Sequence, residues 1–288
     1  MSAPDIIYAK QYGTIVAPLA QQMGSKLRNT VVVKTGVQAE ETYMDQLSAF
    51  DVKVKGSRLS QTDPEAIDVA RRRIALEDRY IAKALDKSDD IRTLADPTSA
   101  VVQSGIFGLG RAIDKIIYDA ARGTAYTGKV GGTSVALPSG QKVAVGSTNM
   151  TLAKWLSAID ILNGNDYTDE DRVLVIGSSQ LKSLLNTTEI KSADYNSVKA
   201  LVNGQINTYL GCQVVRISNT ISVKSGNSRF CLLYAKKAMG LAIGEDVQSR
   251  ITEESTLHFA KQLYFSMSMG ASRLEETGVV EIACDETA

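Results

Sequence analysis

Asp96-Pro97-Thr98-Ser99-Ala100-Val101-Val102-Gln103-Ser104-Gly105-Ile106-Phe107-Gly108-Leu109-Gly110-Arg111-Ala112-Ile113-Asp114-Lys115-Ile116-Ile117-Tyr118-Asp119-Ala120-Ala121-Arg122-Gly123 is the stretch on which the fold turns. Asp96 can accept from the free amides of a first helical turn, and Pro97 suits the first helical position, where no N–H is needed. Val102, Ile106, Leu109, Ile113, Ile116, Ile117 and Ala120 recur at the three-and-four spacing of one helical face. Gly123 closes such a helix as its C′ residue. The spacing predicts a helix of about 25 residues, a rod of ~37 Å, long enough to serve as the backbone of an extended subunit.

Upstream, residues 1–40 show little periodicity and read as an extended arm with a short helical piece around Ala17 to Met23. Phe50, Val52 and Val54 then alternate with Asp51, Lys53 and Lys55, the pattern of a half-exposed strand. Gly56-Ser57-Arg58 through Asp63-Pro64 supplies turn chemistry, and Ala66 to Leu85 returns as strand or helix with Arg71, Arg72, Arg73, Arg79 and Lys83 among apolar residues. Residues 42–90 thus read as a long charged hairpin with too little apolar surface for a core of its own, and excursions of that length are usually functional or disordered.

Downstream, residues 124–150 are rich in Gly, Thr and Ser and read as a hairpin or surface loop. Leu152, Trp155, Leu156, Ile159 and Leu162 predict an amphipathic helix ended by Asn163-Gly164-Asn165-Asp166. Arg172 to Ile176 predicts a buried strand, Gly177-Ser178-Ser179 the start of a helix through Leu181, Leu184 and Leu185, Val198 to Tyr209 a helix, and Gly211 to Ile217 a strand. Phe230 to Tyr234, the alternation Leu263, Phe265, Met267, Met269, Ala271, and Gly278 to Cys284 are strands. Helix and strand segregate by region, so the fold class is α+β.

Lys+Arg and Asp+Glu each number 32 in 288 residues, so total charge selects neither nucleic acid nor acidic lipid as partner. The charges are nevertheless segregated. Ile6 to Ala39 holds Lys10, Lys26, Arg28 and Lys34 with no acid; Leu274 to Ala288 holds Glu275, Glu276, Glu281, Asp285 and Glu286 with no base; Leu156 to Asp171 holds Asp160, Asp166, Asp169, Glu170 and Asp171 with no base. These blocks are either solvated faces or complementary surfaces through which identical copies meet. Met1-Ser-Ala-Pro-Asp5 lacks the basic and apolar regions of a signal peptide, so no export is expected. No apolar run approaches the ~20 residues of a membrane span. One histidine, His258, and three dispersed cysteines, Cys212, Cys231 and Cys284, form no metal-binding or disulfide pattern, and assembly in a reducing cytosol is expected.

Gly123 to Lys129 fits G-x-x-x-x-G-K, but Val130 stands where Mg²⁺ binding needs Ser or Thr, and the segment follows a helix instead of opening one. A nucleotide-dependent enzyme using Gly128 and Lys129 is the alternative of another class that this segment raises. Ser178 and Ser179 lie on a strand-to-helix turn without the second glycine of a nucleophile elbow, and their only candidate base is His258. No catalytic residue, cofactor or metal ligand is assigned. Arg71-Arg72-Arg73 could grip phosphates, but a short basic run on a hairpin is more often a solvated or salt-bridged face.

Asp89-Asp90-Ile91-Arg92-Thr93-Leu94-Ala95-Asp96-Pro97-Thr98-Ser99, Gly110-Arg111-Ala112-Ile113-Asp114 and Gly123-Thr124-Ala125-Tyr126-Thr127-Gly128 together resemble the start, body and end of the spine helix of tailed-bacteriophage major capsid proteins of the Hong Kong 97-type fold. Val173 to Ile176 with the helix Gln180 to Leu185, and Leu201 to Ile206 with Leu210 to Val215, are similar to that family's axial domain; Ala238 to Ala242 through Val279 to Ile282 resembles the return strands of its peripheral domain. The resemblance implies an N-terminal arm (1–41), an extended loop (42–90), a spine helix with a peripheral-domain hairpin (91–150), an axial domain (151–222), and peripheral-domain return strands with some axial contribution (223–288). It implies self-assembly into hexamers and pentamers of an icosahedral shell around double-stranded DNA, with scaffold, portal and possibly decoration proteins as partners and no membrane. A bacterial encapsulin-like compartment is the alternative on the same fold. Lys53, Lys55, Arg58, Arg71, Arg72, Arg73 and Arg79 are the candidate inter-subunit contacts, and charge reversal at Arg71, Arg72 and Arg73 is expected to impair assembly more than folding. The founding member's Lys–Asn crosslink is not expected, because no asparagine follows Asn227.

Overall fold

The computed structural model describes residues 21–47, 50, 52–58, 64, 66–67, 69–85, 98–167, 171–186 and 208–287. The apolar stripe forms helix α1, Thr98–Arg122; Asp96 and Pro97, the expected cap, lie outside the described residues. Leu109, Ile113, Ile116, Ile117, Tyr118 and Ala121 are buried along it. Ile106, expected on that face, is 41% exposed. The turn faces the sheet through Gly105 instead, where a Cβ would lie 2.6 Å from the Phe265 ring. Glycine spacing thus overrides the apolar stripe at this end of the helix, letting an aromatic ring sit on helical backbone.

Helix α1 packs on a four-stranded sheet ordered β1 (Val32–Thr35), β13 (Met239–Glu254), β14 (Ala260–Arg273), β4 (Glu77–Leu85). In β14 the alternation holds: Leu263, Phe265, Met267 and Met269 are all buried. Strand β1 runs parallel to β13 and pairs only with Gly240 to Ile243, so β13 projects beyond it as one leg of the β13–β14 hairpin.

A second sheet, ordered β2 (Glu41–Leu47), β3 (Val69–Ala75), β5 (Ala125–Thr127), β6 (Thr133–Val135), is antiparallel throughout. The return leg of the charged excursion is therefore strand, split between two sheets: β3 pairs with β2, and after Leu76 the chain crosses to β4 beside β14. Gly270 of β14 permits the crossing, since a Cβ there would run into the Ala75 carbonyl. The expected strand at Phe50 to Val54 does not form: residues 52–56 carry no strand and are exposed. Alternation makes a strand only where another backbone supplies partners, and among the described residues the β2–β3 ladder ends at Leu47–Val69. Nor does a helix occupy 21–23; residues 17–20 lie outside the described residues.

The third sheet runs β7 (Lys142–Val143), β15 (Val279–Asp285), β12 (Ser228–Ala235), β8 (Arg172–Ile176), β10 (Cys212–Arg216), β9 (Thr208–Tyr209), with β11 (Lys224–Ser225) on β12. Strand β8 is buried throughout and leads directly into α3 (Ser178–Asn186). Helix α2 (Leu152–Asn163) is capped by the Thr151 side chain and buries Trp155, Ala158 and Leu162, while Leu156 is exposed. Thr208–Tyr209, expected at the end of a helix, pairs antiparallel with β10; the rest of that expected helix lies outside the described residues. One apolar core runs from Leu27 and Val31 through α1 to Cys231 and Cys284.

The chain end is fastened to this sheet. Glu286 accepts from Arg229 and forms an ion pair with Lys224 at 2.9 Å, while Arg229 also donates to Ser222 Oγ at 2.6 Å. The Arg229 hydrogen bond holds the Glu286 carboxyl down at about 2. Because its folded pKa lies below its unfolded one, Glu286 stabilises the protein fully above pH ~4.5 and loses that effect as pH falls through about 2. The stability gap between wild type and Glu286→Gln, followed by denaturant melts, is expected to be constant above pH 5 and to close towards pH 2. A gap independent of pH would contradict the pairing.

Candidate assembly surface

Two sets of groups decide how the subunit can present itself to neighbours: those that fix the arm, and those around the charged excursion. The arm crosses α1 where Gly110 leaves room, since a Cβ there would lie 2.5 Å from the Gly24 backbone. One helical turn on, the fully buried Asp114 carboxylate receives the arm. It accepts from the Lys26 and Leu27 amides at 3.0 and 2.9 Å, from Ser25 Oγ at 2.6 Å and from Gln22 Nε2 at 2.5 Å. A buried carboxylate is tolerable when donors surround it in this way. Sequence reasoning assigned Asp114 no role; the available signal was one acid amid an apolar stripe, four residues after a glycine.

The seven candidate contact residues occupy different environments. Lys53, Lys55 and Arg58 are exposed on the segment beyond the β2–β3 ladder, beside Phe50, Val52 and Val54 at 70%, 95% and 93% exposure. Arg71 forms an exposed pair with Asp45 at 2.6 Å and lies over the Tyr43 ring; Arg79 pairs with Glu77 at 2.8 Å. Arg73 pairs with Glu41. Arg72 differs from the rest: it is buried and bonded to Glu276 at 2.6 Å, with both side chains nearly closed off from water. Gln46 adds a bond to Glu275, whose carboxyl is pushed up by burial, so the base of the excursion is fixed to the turn between β14 and β15. The premise that the whole Arg71–Arg73 run is exposed therefore fails at its middle residue.

The charge blocks are likewise used largely within the chain. Arg28 pairs with Asp246, Lys26 donates to the Arg216 carbonyl, and Lys34 donates to the Tyr43 carbonyl. Of the C-terminal acids, Glu276 meets Arg72, Glu281 meets Arg122, and Glu286 meets Arg229. The block that keeps an exposed acidic face includes Asp160, Asp166 and Asp171.

Gly123 to Val130 builds β5 and the tight turn to β6, with the Gly131 amide donating to the Gly128 carbonyl at 3.0 Å and Gly131 lying against the Arg73 side chain. A phosphate cradle needs a following helix to aim amides and a helix dipole at the anion; a β-hairpin follows instead. Ser178 and Ser179 take hydrogen bonds from Asn219 and Asn149, while exposed His258 stands in a left-handed conformation at the tip of the β13–β14 hairpin, in a different sheet. The three cysteines are buried. No described helix is long and apolar enough to cross a membrane.

The subunit thus combines an arm pinned across a long helix, an excursion whose described residues 50, 52–58, 64 and 66–67 are exposed, and a helix-backed sheet beside a separate α/β sheet. The architecture is the Hong Kong 97-type fold. A family model described as phage capsid protein matches residues 5–286, and the chain belongs to that family. It is a major capsid protein that forms the phage head shell. Solved structures agree in fold. A chain from Mycobacterium phage Che8 is 16% identical at TM-score 0.72, covering 99% of this chain and 100% of its own. The capsid of cyanophage P-SCSP1u is 17% identical at TM-score 0.71, covering 96% and 93%. The capsid of Ralstonia phage GP4 is 12% identical at TM-score 0.73, covering 99% and 97%. No curated protein matches by sequence.

Proposed function

We propose that this capsid protein acts without enzymatic activity, assembling in the host cytoplasm as hexamers and pentamers of an icosahedral shell that encloses double-stranded DNA. Scaffold, portal and possibly decoration proteins are its partners in that process. The observation that carries the lateral contact is the Phe50 to Arg58 segment, where three large apolar side chains and three cations are exposed together. Exposed apolar residues clustered with like charges mark an interaction surface, and exposed acids at Asp160, Asp166 and Asp171 are of the complementary sign.

The proposal separates two classes of arginine and lysine. Reversing Lys53, Lys55 and Arg58 to glutamate is expected to leave the melting curve of the unassembled chain unchanged, since exposed charges contribute about 0–1 kcal/mol, while shells disappear from electron micrographs because the change repeats in every copy. Arg72→Glu is expected to do the opposite and unfold the subunit, because reversing one partner of a buried pair leaves an uncompensated charge costing about 3–5 kcal/mol. Normal shells from the triple variant would sink the proposed contact. Nuclease-protected DNA in particles purified from infected cells tests the enclosed cargo.

A further inference from the structure

A cavity of about 500 Å³ opens on the flank of α1 between the helix and β4. Ala100, Val101 and Gly105 form its helical wall, Ile81 and Leu85 its strand wall, and Phe265 closes its floor. Ile81, Leu85 and Val101 are only half-buried although they pack against the core. Strand β4 ends its sheet, and among the described residues no strand pairs with its outer edge. Among the described residues this leaves an apolar groove with one side open.

The arm leads into this groove. Gln21 Nε2 donates to Ser104 Oγ at 3.2 Å, and Arg111 Nη1 donates to Gln21 Oε1 at 2.6 Å; Ser104 and Arg111 both line the groove. From Ser104, which takes Gln21, to Asp114, which takes Lys26 and Leu27, the arm runs parallel to α1. Continued backwards along that line, a chain preceding Gln21 would reach Ala100 and Val101. The residues preceding Gln21 are Ile15-Val16-Ala17-Pro18-Leu19-Ala20, six apolar residues in succession. Five residues in extended form reach ~16 Å, against ~12 Å for the two turns of helix from Ala100 to Gly108. Pro18 suits such a site because it brings no N–H into an apolar groove and disfavours helix at Ala17.

We propose that Ile15 to Ala20 of the same chain fills the groove between α1 and β4, so that the arm is bound in cis from Leu27 back to Ile15. The groove then fixes the position of β4, and through Leu76 that of the charged excursion, by apolar burial contributed by the arm. The inference concerns the single subunit and does not depend on the proposed lateral contact.

The test uses the full chain in assembled shells. Val101→Cys is combined with Leu19→Cys or with Val16→Cys, and Gln21→Cys with Ser104→Cys serves as the hydrogen-bonded control; the native cysteines are buried. Mild oxidation is expected to link one or both Val101 pairs within single chains, seen as monomers of altered mobility on a non-reducing denaturing gel. Linked dimers would overturn the proposal by showing that a neighbour's segment fills the groove. Absence of a Val101 link where the control links would overturn it as well. Full-length Leu19→Asp gives an independent readout: amide exchange at Ile81 to Leu85 is expected to accelerate about tenfold or more while Leu232 to Tyr234 is unchanged. Unaltered exchange at Ile81 to Leu85 would refute cis binding.

Discussion

Asp114→Ala is expected to lower the stability of the subunit by about 3–5 kcal/mol, a fall of roughly 10 °C in melting temperature for a chain of this size. The side chain is fully buried and holds four donors from a single stretch of arm, two of them backbone amides. Alanine removes every acceptor at once, and Leu27, whose amide is one of the donors, sits in the core. An orphaned buried amide costs about 1–3 kcal/mol, so two of them exceed what relaxation of an exposed strap could recover. Asp114→Asn is expected to fall between, since its amide oxygen still accepts but its NH₂ faces donors. Differential scanning calorimetry of the three unassembled chains checks the order. A loss below about 1 kcal/mol for alanine would mean that the arm is held elsewhere.

Arg273→Met is expected to be at least as damaging. Arg273 has no exposed surface; Nη1 donates to the Ala121 carbonyl at 2.9 Å and to that of Gly123, and Nη2 donates to the Val135 carbonyl at 3.0 Å. It therefore satisfies carbonyls at the C-terminal end of α1, where the helix dipole is negative, and ties them to β6. Burial lowers its pKa, against an opposing pull from the Glu276 carboxylate. Replacing a buried charge by an apolar side chain can be harmless when its partners leave as well. Here the partners are backbone carbonyls and remain, so the loss is expected to reach about 3–5 kcal/mol. Arg273→Lys is expected to recover only part, because a compact ammonium cannot serve both the helix end and β6 as a planar fork does. Equal denaturation midpoints for Arg273→Met and wild type would refute this account.

What could be read from the chain alone was whatever depends on near neighbours. The extent of α1, its end at Gly123, the β14 alternation and the β8-to-α3 turn are each set by spacing or local turn chemistry. The failures are non-local. Phe50 to Val54 alternates well, yet a strand needs a second backbone. Ile106 fits the helical stripe, but Gly105 and Phe265, 160 positions apart in number, decide which turn faces the sheet. The arginine run looked uniform because a sequence cannot show that Glu276 waits opposite only its middle member. Asp114 was visible as a residue inside a motif, while its role rests on an arm 88 residues away.

Strand β15, Val279–Asp285, lies inside the third sheet between β7 and β12, and Glu286 closes the ring of bonds on Arg229. An interior strand supplied by residues 279–285 leaves β7 and β12 without their shared neighbour until that segment is in place. Pairings between segments so far apart in sequence form slowly, so a partly folded copy keeps this sheet split and lacks the finished surface by which identical members recognise one another.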